Sequence, residues 1–317
     1  MSANRNVVLI GARLAVVILF FAVQASAQIA RVFLSGTGDD ANDCSNATTP
    51  CRSLQAAITQ APADGEIIVL TSGGFGTANI TKSLTINAPT GVVAFNARTI
   101  TVTIADTDTV VIRGLSMNGA LFGDAYGINY THGGTLIVEN STIAGFSSAG
   151  IRSIFTSDTQ RSALMVNNCE FRNNGGDGIL SDAGISALAV QDSRFLNNAN
   201  AGIQIFSTTY STIKNSVISG NTFGIVANGI TYSVCPFVVI DKCVIANNRG
   251  TVDAAGIRAQ NPYVGFGSPI IRVTNSSIYG NNQGLATTAN AVIVSYGNNR
   301  LWNNTTAGAF SSTMPEN

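Results

Sequence analysis

Val166-Asn167-Asn168-Cys169-Glu170-Phe171-Arg172-Asn173-Asn174 is answered 24 residues later by Val190-Gln191-Asp192-Ser193-Arg194-Phe195-Leu196-Asn197-Asn198. Both copies place an aliphatic residue before a polar pair, then an apolar residue, then a pair of asparagines. Between such copies stands a second mark, Gly-Ile or a close variant. It occurs at Gly127-Ile128, Gly150-Ile151, Gly178-Ile179, Gly202-Ile203, Gly224-Ile225, Gly256-Ile257 and Gly284-Leu285, and a last copy reads Gly308-Ala309, with intervals of 22 to 32 residues. Self-similarity at this period marks a solenoid, in which each repeat buries its apolar face only against its neighbours.

Each repeat holds three short apolar pieces with period-2 alternation, too short and too β-branched for helix pairs. Three short strands per turn fit a parallel β-helix. Ile86, Ile112, Val138, Val166, Val190, Ile213, Ile240 and Val273 align as one column, and Met117, Ile143, Phe171, Phe195, Ile218, Ile245, Ile278 and Leu301 as another. Both are expected to stack inward at about 4.8 Å per coil. Asn140, Asn168, Asn215, Asn275 and Asn298 fall where the chain must turn sharply, and Asn tolerates the left-handed conformation there. Their amides are placed to hydrogen-bond from coil to coil, although Asp192 and Lys242 interrupt them. Asn174, Asn198, Asn221, Asn248, Asn281 and Asn304 mark the next corner.

On these repeats the chain resembles the right-handed parallel β-helix proteins of the pectin-lyase-like superfamily. The expectation is an all-β solenoid of roughly ten coils over residues 63–308, with a cap at 28–62 that includes a short helix, and a weakly ordered tail at 309–317. The opening from Ser35 to Cys44, followed by Pro50 to Ile58, resembles the N-terminal cap of secreted or surface β-helix proteins. Ser53 is the expected N-cap of a helix through Gln60. A helix across the rod's end would hide open strand edges. Asp39, Asp40 and Asp43 read as an Asx-rich turn, with a calcium ion as the alternative occupant.

Residues 1–27 carry Arg5 and Arg13, an apolar run from Leu14 to Val23, and Ala25-Ser26-Ala27, the pattern of a signal peptide; an uncleaved anchor is the other reading. No later segment is long and apolar enough to span a membrane. Removing the leader leaves 290 residues with 15 basic and 17 acidic side chains, so a basic nucleic-acid footprint is absent. Cys44 and Cys51 flank a six-residue polar loop and are expected to form a disulfide, in keeping with an oxidising compartment. Cys169 and Cys243 occupy equivalent places three coils apart, too far to bond, and read as small buried residues; Cys235 is either a partner for Cys243 or a free thiol. The localisation that follows is secreted, periplasmic or cell surface. Oligomeric state is not encoded in these patterns.

The resemblance implies that polysaccharide-active members bind a sugar chain along the sheet built from the Gly-Ile strands. The longest connections after those strands run from Arg152 to Ala163, Ala227 to Phe237 and Arg258 to Pro269. They bring Phe155, Tyr232, Phe237, Tyr263 and Phe266, beside strand residues Asn129, Arg152, Asp182, Gln204 and Arg258. Aromatic faces with convergent polar groups suit sugar rings. From this set Asn129, Gln204, Tyr232 and Tyr263 are the ligand-binding candidates.

Catalytic patterns fit poorly. An inverting hydrolase of the polygalacturonase type needs a carboxylic acid and a carboxylate across a water, and its Asn-Thr-Asp, Asp-Asp, His-Gly and Arg-Ile-Lys phrases are missing from the central coils. A pectate-lyase-like site needs a carboxylate cluster for calcium and an arginine; Arg152, Asp182 and Arg258 are the nearest approximation, with one carboxylate where several are wanted. Asp177, flanked by glycines, reads as turn chemistry, and the single histidine, His132, as a surface residue. No zinc spacing or Ser/His/Asp set is present. The expectation is an exported protein that binds polysaccharide or a cell-surface glycan without a recognisable catalytic centre. A divergent lyase or hydrolase and a structural adhesin are the alternatives.

Overall fold

The structure is a computed structural model that describes residues 30–154, 162–183, 186–206, 210–229, 235–261, 268–288 and 290–315. The expected leader at 1–27 lies outside these residues. Three parallel sheets run the length of a rod, with twelve, ten and nine strands among the described residues. Each coil passes through them in a fixed order, as in Ala163–Asn167 of sheet A, Glu170–Arg172 of sheet B and Asp177–Ala183 of sheet C. Nine coils contribute a strand to every sheet, and a tenth adds Val292–Ser295 and Arg300–Trp302.

The two apolar columns pair as the repeats require. Val138 lies beside Val166, Val166 beside Val190 and Val190 beside Ile213 in sheet A, while Ile143, Phe171, Phe195 and Ile218 follow one another in sheet B. All of these side chains are buried. The Phe171 and Phe195 rings stack with centroids 4.9 Å apart, which is the coil spacing itself. Burying each such side chain contributes about 1.5–3 kcal/mol, so the narrow core gains its stability rung by rung.

The corner after sheet A is left-handed at Asn140, Asn168, Asp192, Asn215, Lys242 and Asn275, with φ between 48° and 53°. In the last coil Gly297 takes this role with φ 91°, so Asn298, expected there, sits one residue beyond the turn. Its amide nevertheless donates to Asn275 Oδ1 at 2.9 Å. The continuous ladder is formed by the second asparagine column, between sheets B and C. Asn174, Asn198, Asn221, Asn248 and Asn281 each donate from Nδ2 to Oδ1 of the next member, at 2.9 to 3.1 Å, ending on Asn304. Here the left-handed residue is the one before, such as Asn173, Asn197 or Gly220.

The Gly-Ile phrase opens the strands of sheet C, and its glycine packs against this ladder and the adjacent coil. A Cβ on Gly178 would lie 2.5 Å from the Gly202 carbonyl oxygen and 2.7 Å from the Phe195 ring. Gly308 breaks the series, since it stands against Leu285 with φ 72° rather than opening a strand.

At the N-terminal end, helix Leu54–Gln60 is capped by Ser53, whose side chain accepts from the Ala56 N–H, and buries Leu54, Ala57 and Ile58. Cys44 and Cys51 form a disulfide beside strand Arg31–Leu34. Segment 309–317, expected as a weakly ordered tail, contains strand Ser312–Thr313, which pairs with Val294-Ser295 and extends sheet A.

Candidate functional site

The residue after each Gly-Ile pair points outward from sheet C. The register puts Asn129, Arg152, Leu180, Gln204, Val226, Arg258 and Ala286 in one column. Arg152 and Arg258 are therefore four strands apart, about 19 Å at the ordinary strand spacing. The three catalytic candidates do not meet. Arg152 Nη2 pairs with Asp182 Oδ2 at 2.9 Å, and its guanidinium lies over the Tyr126 ring at 5.1 Å. Arg258 stands apart from both.

What surrounds Arg258 is a different cluster. Its guanidinium lies 5.4 Å from the centre of the Phe223 ring, and none of the ion pairs among the described residues involves it. Asn200, Gln204, Phe223, Val226, Arg258 and Gln260 line a hollow of about 190 Å³. On the other side of Arg258 a hollow of about 380 Å³ reaches Asp253, Gln283 and Thr306. Asn200 Nδ2 donates to Gln204 Oε1 at 2.7 Å and to Asp177 Oδ1 at 2.8 Å, which orients the amide at the rim of the first hollow. Asp177 Oδ1 also accepts from the Ala201 N–H at 2.9 Å. Burial pushes the Asp177 carboxyl up to about 6, against those two hydrogen bonds. Asp177 opens a strand, so it ties two coils together rather than merely turning the chain.

Several polar atoms on this face are buried with no hydrogen-bond partner: Asn129 Oδ1, Nε of Arg152 and Arg258, and both amide atoms of Asn228. Asn228 lies beside Gln260 in the register, at the edge of the first hollow. Of the other ligand candidates, Tyr232 and Tyr263 lie outside the described residues, as do Phe155 and Phe266. Phe237 belongs to sheet A, where it opens strand Phe237–Asp241 and packs edge-on to Tyr210, so it is not part of this face. His132 ends a strand of sheet C, with Nδ1 2.9 Å from the Ile104 carbonyl oxygen.

The residues sequence reasoning passed over are Asn200, Phe223 and Gln260. Phe223 immediately precedes Gly224-Ile225 and Asn200 precedes Ala201-Gly202-Ile203, so the phrase itself marks both as neighbours of the outward column.

The arrangement offers amides for hydroxyl groups, an aromatic ring and one cation. It has no cluster of three or more His, Cys, Asp or Glu side chains among the described residues. The acidic residues of the cap loop serve separate turns. Asp39 accepts from the Ala41 N–H, Asp43 from Ser45, and Asp40 from the N–H groups of Arg52 and Ser53.

Residues 67–209, 102–262 and 159–315 match the family described as the right handed beta helix region. The chain belongs to the right-handed β-helix family. Among solved structures it is similar to a GH136 lacto-N-biosidase from Eubacterium ramulus, with a TM-score of 0.53 and 10% identity over 90% of this chain and 67% of that one. The pectate lyase Pel9A gives a TM-score of 0.45 and 15% identity over 88% of this chain and 81% of that one. No curated protein matches the sequence. At these identities the likeness is one of fold, and this β-helix must be read from its own side chains. No helix of the described residues is long and apolar enough to cross a membrane.

Proposed function

We propose that this β-helix protein is exported and binds a carbohydrate chain along the outer face of sheet C, without turning it over. The observation that carries the reading is the Arg258 cluster. A cation over an aromatic ring, between two hollows and beside the Asn200–Gln204 amide pair, offers the contacts sugars use: hydrogen bonds to hydroxyl groups and an apolar ring face. Export is supported by the leader-like sequence of residues 1–27 and by the Cys44–Cys51 disulfide. The fold shared with a lacto-N-biosidase makes a glycan partner the natural one to test first.

The test is a panel of acidic and neutral polysaccharides, with binding, reducing ends and ultraviolet absorbance read together, with and without calcium. Binding to at least one of them is expected, weakened tenfold or more by Arg258→Ala or Gln204→Ala. Arg194→Ala on sheet B, which removes the same charge elsewhere, is expected to leave it unchanged. Unsaturated products or new reducing ends would replace binding with lyase or hydrolase activity. No binding anywhere on the panel would remove the carbohydrate reading.

A further inference from the structure

Sheet A carries an outward face that the preceding function does not use. Met165 is 43% exposed, Tyr210 64% and Ile270 36%, and Ile137, Phe237 and Val239 lie among them half-buried. We propose that a second copy of this chain packs on this face, with the two rods antiparallel and related by a twofold axis. The axis runs along the strands, between Ala163–Asn167 and Ala187–Gln191.

Six successive strands present three outward columns. The first reads Thr109, Thr135, Ala163, Ala187, Tyr210, Phe237, and the second Val111, Ile137, Met165, Ala189, Thr212, Val239. The third carries the charges, as Arg113, Glu139, Asn167, Gln191, Lys214, Asp241. A twofold axis at the middle of the series sets each column against its own reverse. Arg113 then faces Asp241 of the other copy, and Glu139 faces Lys214, so every charge meets its opposite. Size is complementary as well. Met165 faces Ala189, Tyr210 faces Thr135, Phe237 faces Thr109 and Ile137 faces Thr212, so each of these large side chains meets a smaller one, with only alanines at the centre of the first column.

A C2 interface requires this kind of self-complementarity, because the same patch serves both subunits. Within one chain Arg113 already pairs with Glu139 at 2.9 Å, so the facing charges of the second copy extend that pair across the interface. Six strands of five residues cover about 29 by 16 Å, on the order of 460 Å² per copy. That is below the roughly 800 Å² per partner of standard stable complexes. A reversible dimer that dissociates on dilution follows.

Sedimentation velocity on the purified full chain, across a concentration series, tests the proposal. A monomer–dimer equilibrium is expected, weakened at least tenfold by Met165→Arg at the centre of the face. Glu139→Lys and Lys214→Glu are each expected to weaken it, and the double variant to restore it. Within one chain Glu139→Lys sets like charge beside Arg113, and Lys214→Glu sets like charge beside Asp241, so recovery in the double variant arises only from contacts between copies. Circular dichroism on each variant separates loss of dimer from loss of fold. A chain that stays monomeric at every concentration, or a dimer indifferent to Met165→Arg, overturns the proposal, as does a double variant that is folded but no better than the singles.

Discussion

Asn198 Nδ2 donates to Asn221 Oδ1 across 3.0 Å inside the rod, and the same oxygen accepts from the Asn198 backbone N–H at 2.9 Å. Asn221 in turn donates to Asn248 Oδ1 and to the Phe195 carbonyl, both at 3.1 Å. Removing the Asn221 amide takes the acceptor from the Asn198 backbone N–H and a donor from the Phe195 carbonyl, out of reach of water. It leaves Asn198 Nδ2 and Asn248 Oδ1 with one bond each, to the Phe171 carbonyl and from the Asn221 backbone N–H. Asn221→Ala is expected to destabilise the protein by on the order of 4 kcal/mol, since each unsatisfied buried group costs about 1–3 kcal/mol. Asn304→Ala, at the less buried end of the ladder, should cost clearly less. Thermal unfolding followed by circular dichroism checks this, and equal losses at the two positions would count against a ladder that depends on burial.

The Gly-Ile phrase has a steric cause that is equally open to test. In Gly178→Ala the new methyl meets a backbone carbonyl and a packed ring at less than 3 Å, and neither is free to move. Overpacking of this kind costs typically about 1–3 kcal/mol. Gly74→Ala, whose Cβ would find only a Phe95 ring carbon at 3.7 Å, is expected to be nearly neutral. Chemical denaturation of the two variants beside the parent distinguishes these outcomes.

The repeat phrases made the fold legible because a β-helix writes each inward position once per coil, and both apolar columns follow directly from aligning them. The same alignment holds the separation of Arg152 from Arg258. Each follows a Gly-Ile pair, and the pairs at Gly178, Gly202 and Gly224 stand between them, so counting the pairs is enough to separate the two arginines of the candidate catalytic set. What alignment does not carry is the partner of a side chain. Nothing in the spacing distinguishes the ion-paired Arg152 from Arg258, because Asp182 reaches Arg152 from the next coil. The exposed and buried asparagine columns look alike in sequence. Only the second faces the interior, where amides have no water to turn to.

Asp177 gives a pH dependence with a defined sign. Its carboxyl is pushed up to about 6 by burial in the folded protein, against an ordinary value near about 3.9 in the unfolded chain. Between those values the folded state binds the extra proton, so stability falls as pH rises from about 4 to about 6 and the loss is complete above that. The loss corresponds to about 3 kcal/mol. Asp177→Asn keeps an oxygen for the Asn200 and Ala201 donors and has no charge to bury. The variant is expected to lack this part of the pH dependence and to be the more stable of the two at pH 7. Stability of both proteins measured from pH 4 to pH 7 tests it, and parallel curves would show that Asp177 titrates normally.

Cys169 and Cys243 belong to a third ladder that their chemistry disguises. In other coils the same place is held by Ser141, Ser193, Ser216 and Ser276, each donating its hydroxyl to the carbonyl two residues back at 2.7 to 2.8 Å. Cys169 and Cys243 direct their thiols to the corresponding carbonyls at 3.3 Å. Burial pushes both thiols up to about 12, so almost no thiolate is present at pH 8. All three remaining cysteines are free, and Cys235 is half-buried where the others are fully buried. A thiol reagent at pH 8 is therefore expected to label Cys235 in the native protein and all three after unfolding. Because serine already performs this task in neighbouring coils, Cys169→Ser should change stability by less than about 1 kcal/mol. Cys169→Val, which removes the sulfur that accepts from the Ser141 N–H, should be the more damaging despite its greater hydrophobicity. A valine variant as stable as the serine one would show that the position is simply apolar.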